Sequence, residues 1–489
     1  MLFNSLDFVV FFIFVLTVLA IVKQRKFQHL FLLGASYFFF YYSSNYYIAL
    51  LLFTTFWDYY LGRLIWKITD IKKKKVLLVV SIAGNLSLLG FFKYADFAIT
   101  QFNLLENSLD LANHVPQLNL ILPIGISFYT FHSIGYIIDI YRGKISPATS
   151  LREYAIFITF FPQLVAGPIL RASSFLPQLS EKIQQQVGTR LRQIVIDNAN
   201  LKIGITMMSL GFFKKMFIAD NLSPMVNEIF SFPFGLESFT IILGAIGFGI
   251  QIYCDFSGYS DIAIGAALIL GFKIPINFNK PYFASSPSDF WKRWHISLSS
   301  WLRDYLYIPL GGNRKSKLRT FLNLMITMFL GGLWHGASWN FVLWGVLHGT
   351  YLACHNAILD RFPSLQNNPF FKKKAAAIFS IFVTQYLVFL TWIPFRVKET
   401  EVMLYSIQKY IFLDMQIQNT LHFIDLHKLP MAIMVLFIVL HTISYKHGNL
   451  IQKISELKPA YWIGILSGIM IVIFLFFDGN PQDFVYFQF

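Results

Sequence analysis

Long apolar runs alternate with short charged loops along nearly the whole chain, as in a helical chain that repeatedly crosses a bilayer. A spanning helix needs about 20 apolar residues, and cytoplasmic loops carry the excess of Lys and Arg. In the first third the two rules agree, with spans near 8–22, 29–43, 46–62, 76–92 and 118–140. Lys23, Arg25 and Lys26, then Arg63, Lys67 and Lys72 to Lys75, and finally Arg142, Lys144 and Arg152 fall inside. The loop carrying Lys93 against Asp96, Glu106 and Asp110 falls outside. The first run has only Asp7 before it and basic residues after it, which predicts a retained anchor with its N-terminus outside, not a cleaved signal.

The middle is less regular. Residues 154–170 are interrupted by Pro162, Gly167 and Pro168, which predicts a re-entrant or kinked segment, and the polar stretch 171–196 (Arg171, Lys182, Arg190, Arg192) reads as cytoplasmic. Apolar stretches recur near 200–218, 238–254, 261–273, 320–334, 339–358, 375–395, 430–444 and 460–477. The expected fold is all-α, a polytopic membrane protein of about 11–13 spans plus re-entrant or interfacial helices. Lys446, Lys453 and Lys458 against Glu456 put loop 445–458 inside, so the tail with Asp478 and Asp483 is expected outside. No repeat is evident, and the chain reads as one membrane domain 1–489: N-terminal spans 1–150, a catalytic region about 250–350, and C-terminal spans and tail 375–489.

Composition agrees. Of 489 residues 56% are hydrophobic, 13% charged and 18% aromatic, which excludes an ordinary soluble domain. The net charge of +15 is mostly orientation and lipid-headgroup charge, not a nucleic-acid footprint. Cys254 and Cys354 are the only cysteines, so neither a disulfide framework nor a Cys-based metal site is available, and no metal is expected.

Walker A, HExxH and GxSxG signatures are absent. Candidate chemistry concentrates between Asp255 and Gly349, which hold six of the ten tryptophans. In GGLWHGASWNF (331–341), His335 follows one apolar run and precedes another, within the membrane thickness, where an ionisable group is a functional candidate by default. A neutral imidazole there can accept a proton from a hydroxyl; the competing reading is a buried His bonded to a neighbouring helix. In SPSDFWKRWHISLSSWLRDYLYIPLGG (286–312), Pro287 with Asp289 starts a helix and Pro309 with Gly311 and Gly312 ends it. Trp291, Trp294, Leu298, Trp301 and Tyr305 form its stripe, with His295 beside it, and the helix lies at an interface or dips into the bundle. Taken alone, that stripe is better explained by an interfacial aromatic belt, with the basic residues snorkelling and His295 merely packing.

Lys292, Arg293, Arg303, Arg314 and Lys315, with Lys317 and Arg319, suit either lipid headgroups or the phosphates of a coenzyme A donor. In YCDFSGYSDIAIG (253–265), Asp255, Ser257 and Asp261, joined by Asn340, read as a polar network in which Gly258 permits a helix break; in a transporter the same acids would be a coupling-ion pair.

At these residues the sequence resembles the membrane-bound O-acyltransferase (MBOAT) family, in its bacterial alginate and polysaccharide O-acetyltransferase branch. The resemblance rests on ILPIGISFYTFHSIGYIIDIYRG (121–143), FITFFPQLVAGPILR (157–171), IQIYCDFSGYSDIAIG (250–265), FWKRWHISLSSWLRDYLYIPLGG (290–312) and GGLWHGASWNFVLWGVLHG (331–349), in family order. It implies a ring of helices around a thin partition, His335 as catalytic histidine and His295 as the second characteristic position. It further implies acetyl-CoA as a cytosolic donor rather than a bound cofactor, a bacterial cell membrane, and an extracytoplasmic SGNH-type partner or polysaccharide-synthesis machinery. Teichoic-acid D-alanyl transfer proteins are a neighbouring branch. His132 receives no role. The ending FVYFQF (484–489) is similar to aromatic endings in these acyltransferases, so Tyr486 is either an acyl relay or an interface anchor.

Overall fold

The structure, a computed structural model, describes all residues except 2, 111–113, 165–166, 185–197, 368, 370–372, 478, 480–481, 483 and 486–489. Helices are the regular structure of the described residues, which contain no strand. Among them, five stretches are long and apolar enough to cross a membrane: Lys26–Lys67, Ile71–Ser108, Ser238–Ile269, Lys374–Arg396 and Lys428–His447. Leu6–Ile21 and Pro459–Leu475 are shorter apolar helices. Large apolar side chains such as Phe382, Val435 and Phe474 stay exposed on these helices, which a bilayer tolerates and water does not. The chain is an all-α polytopic membrane protein.

Three boundaries differ from the sequence expectation. The span read at 76–92 continues as one helix to Ser108, because no Gly or Pro stops it after Gly90; Asp96, placed in a loop by charge counting, instead accepts the backbone amides of Leu118, Asn119 and Leu120. The span read from 118 begins only at Ile126, after Pro123 and Gly125, whose φ of 81° marks the turn. The stretches 238–254 and 261–273 fuse into one helix, Ser238–Ile269. Gly258 does not break it: a Cβ there would meet the carbonyl oxygen of Gly211 at 2.7 Å, so the glycine serves close helix approach.

The chain forms two compact units. In the first, Met1–Ile205 with Ile262–Pro275, helix Leu151–Thr159 stops at Phe160, the short turn Phe161–Leu164 follows, and a new helix starts at Ala172, the break that Pro162 predicts. Buried His132 pins the chain beyond the break by accepting the Leu170 amide at 3.0 Å. Asp58, also buried, takes hydrogen bonds from Ser81 (2.6 Å) and Asn85 (2.9 Å). The second unit, Thr206–Asp261 with Ile276–Phe489, contains both candidate histidines within one aromatic core.

Candidate active site

Residues 286–312 do not form the single amphipathic helix that their periodicity suggests. Pro287–Arg293 is helical, capped by the Ser286 hydroxyl; the chain breaks at Trp294 and His295, and a second helix runs Ile296–Leu302 before a π-helical turn, Arg303–Tyr307. His295 itself is left-handed (φ 44°, ψ 52°), a conformation that costs a non-glycine residue about 1–3 kcal/mol and persists only where neighbours impose it. Two backbone bonds impose it here: Ile296 N–H to Asn277 O and Asn279 N–H to Arg293 O, both 2.9 Å. Nor does the stripe form an interfacial belt, since Trp294, Leu298 and Trp301 are buried.

The side chain of Asn277 then orients the imidazole. Its Oδ1 accepts the Ser297 amide (3.3 Å) and hydroxyl (2.9 Å), so this atom is an acceptor and His295 Nδ1, 3.2 Å away, must carry the hydrogen. The lone pair of His295 is therefore on Nε2. Asn277 Nδ2 donates to Ser260 Oγ at 3.2 Å, which ties the arrangement to helix Ser238–Ile269.

His335 is held differently. It ends helix Lys317–His335, whose partner Trp339–Arg361 returns after three residues. A Cβ on Gly332 would run into the carbonyl of Phe341, one on Gly345 into that of Met328, and one on Gly336 into the Phe341 ring, so only glycines let this hairpin close. Rings then surround His335: Trp344 at 4.8 Å edge-on, Trp334 at 5.0 Å and Phe395 at 5.3 Å between centroids. The centroids of His335 and His295 are 6.5 Å apart, and both side chains are buried. Nothing in the local pattern showed that the two motifs, forty residues apart, would meet.

A third histidine, His348 of the GVLHG stretch, which no spacing in the sequence marks, lies on the second helix of the same hairpin. Thr391 spends its hydroxyl hydrogen on Val388 O (2.7 Å), so His348 Nε2 donates to Thr391 Oγ1 (3.0 Å). Its ring packs on Trp344 and Trp291.

The cations divide. Lys292 and Arg303 line a cavity of about 390 Å³ together with Trp291, Ser299, Tyr307 and Thr327. Arg293 pairs with Asp289 (2.9 Å) and Arg303 also with Asp304 (2.7 Å), whereas Arg314 and Lys315 are exposed just before the hairpin. Asp255 and Asp261 meet lysines hidden in the apolar stretch 200–218: Lys215 bridges Asp255 (2.6 Å) and Asp220 (2.8 Å), and Lys214 pairs with Asp261 (2.6 Å). Two lysines inside an apolar run were the signal for these pairs. Asn340 stands apart from that network, donating to the carbonyls of Val397 (2.6 Å) and Lys398 (3.1 Å); Ser257 is buried on the helix between the two acids. Among the described residues no cluster of three or more His, Cys, Asp or Glu is placed to hold a metal ion. Tyr486 lies outside the described residues.

The second unit thus holds two buried histidines 6.5 Å apart in one ring-lined centre, and a cavity lined by Lys292 and Arg303. Sequence comparison identifies the class of enzyme. The MBOAT profile (membrane-bound O-acyltransferase family) matches residues 144–396, and the chain belongs to this family. It is an O-acyltransferase. It is 39% identical to the probable alginate O-acetylase AlgI of Azotobacter vinelandii over 361 residues, 73% of this chain and 69% of that protein. It is 38% identical to the Pseudomonas aeruginosa protein of the same name over 406 residues (82% and 73%). With the peptidoglycan O-acetyltransferase of Helicobacter pylori it shares 33% over 475 residues, 88% and 86% of the two chains.

Proposed function

We propose that the chain takes an acetyl group from cytosolic acetyl-CoA and delivers it for O-acetylation of a cell-envelope or exopolysaccharide, alginate-like in kind. The supporting observation is the burial of His335 within 6.5 Å of His295 in an apolar, ring-lined centre of an acyltransferase. Neutral His335 is the general base. It accepts the proton of a hydroxyl while that oxygen forms a bond to the thioester carbon; the C–S bond breaks, and the proton leaves with the coenzyme A thiol. His295, whose Nε2 carries the lone pair and can only accept, assists by holding the attacking hydroxyl before its proton passes to His335. Lys292 and Arg303 at the cavity edge, with Arg293, Arg314 and Lys315 nearby, are the donor-phosphate cations.

The hydroxyl belongs either to the polymer or to Tyr486, which then hands the acetyl group on. With the N-terminus and tail on the outside of a bacterial inner membrane, the receiving partner is an extracytoplasmic SGNH-type transferase or the polysaccharide-synthesis machinery. The relatives named for alginate and peptidoglycan O-acetylation support this acceptor class. Polymer acetylation by cells carrying His335→Ala is the test: abolished transfer at normal protein level is expected, and retained transfer defeats the assignment. Tyr486→Phe with unchanged polymer acetylation would remove the relay.

A further inference from the structure

The buried ion cluster beside the site has a use that its stabilising role does not explain. Asp255 divides its carboxylate. Oδ1 faces Lys215 Nζ at 2.6 Å, and Oδ2 accepts the backbone N–H of Val485 at 2.8 Å. Those partners are 40 and 230 residues away in sequence, and the second belongs to the C-terminal segment. Phe484, fully buried, lies against Tyr259 (4.4 Å between centroids) and Phe256 (5.6 Å), and Phe256 in turn meets the His295 ring edge-on at 4.6 Å. One turn and a half of helix Ser238–Ile269 thus grips the tail and touches a site histidine.

The geometry points to Asp255, oriented by Lys215, as a positioning residue that anchors the C-terminal segment against Phe256, the ring that touches His295. A carboxylate is the acceptor suited to this task, because a charge-assisted bond to a backbone amide holds the main chain whatever side chain follows. Lys215 supplies the counter-charge that permits a carboxylate at this depth, and Asp220 fixes Lys215 from the other side at 2.8 Å. Phe484 fills the aromatic slot, and the residue after Val485 in the chain is Tyr486. The anchoring stands on geometry alone; its importance for acyl transfer rests on the relay reading above.

The test is timed carboxypeptidase digestion of the full-length protein in detergent, followed by mass spectrometry, with acetyl transfer measured on the same preparations. Asp255→Ala is expected to speed release of the last residues about tenfold or more, the effect of losing a bond to a charged acceptor. Val485→Pro deletes the donor without touching the buried charges and is expected to do the same, so the result does not depend on an Ala variant that fails to fold. Unchanged digestion in folded Asp255→Ala and Val485→Pro overturns the anchor. In a double-mutant cycle with deletion of 484–489, Asp255→Ala is expected to add no further loss of transfer. Independent, multiplying losses would mean a merely structural ion pair and overturn the positioning role. If digestion accelerates while Tyr486→Phe leaves transfer intact, the anchor stands and the relay falls.

Discussion

The two histidines are buried at neighbouring points, yet the chain secures them by opposite means. His295 is gripped by polar atoms: a left-handed backbone, two main-chain bonds to the 277–279 segment and an asparagine oxygen that dictates which nitrogen carries hydrogen. His335 is gripped by shape, at the end of a glycine-packed hairpin and inside a box of Trp334, Trp344 and Phe395. Hydrogen bonds fix a ring's tautomer as well as its angle, whereas rings fix position and exclude water. The polar grip suits a residue that must present one nitrogen consistently; the aromatic grip suits one that must accept and release a proton in a dry setting.

Substitutions that loosen each grip separately should have graded effects. The largest comes from removing the base: His335→Ala is expected to lower acetyl transfer about 10³-fold or more, near the upper range of general-base contributions. Next is the hairpin. Gly332→Ala pushes a methyl into the Phe341 carbonyl, and the strain of overpacking, about 1–3 kcal/mol, should lower the thermal midpoint in nanodiscs. Asn277→Ala frees the His295 tautomer and leaves the Ser297 amide and hydroxyl unpaired; in protein that still folds, transfer should drop about tenfold, a loss that follows from about 1.4 kcal/mol of misorientation. Asn277→Asp, whose oxygens accept the same hydrogens, should recover part of it, and an Ala variant as active as wild type would show that the polar grip is incidental. The smallest effect belongs to the cavity edge: Lys292→Ala should raise the KM for acetyl-CoA about threefold with kcat unchanged, as expected for one exposed ionic contact.

Much of this architecture was legible in the chain. Apolar runs marked the five long helices after Ser316 within a few residues, helped by end signals such as Ser316, Gly336, Gly448 and Pro459, but not the shorter helices Thr400–Ile411, Gln418–Leu426 and Leu450–Ser455, which carry no long apolar run. The break at His295 was not legible: Trp294, His295 and Ile296 carry no turn chemistry, and the kink is imposed by a segment that precedes it by some seventeen residues. Asn277 was silent for the same reason, one of two asparagines in a loop whose role depends on what packs over it. Lys214 and Lys215 were hidden by the hydrophobic average of their stretch, and the pairing that makes them tolerable lies on another helix. Gly258 signalled something real but ambiguous, since a glycine in a helix can mark a break or a close approach, and only the neighbouring backbone decides.

The inequality of the two histidines is most directly measured in a single turnover. Purified wild type, His335→Ala and His295→Ala in nanodiscs, each in excess over acetyl-CoA with acceptor present, would be followed by the release of free thiol. His335→Ala should release thiol about 10³-fold more slowly than wild type, and His295→Ala about 10²-fold more slowly. Wild-type release by His335→Ala would contradict the account.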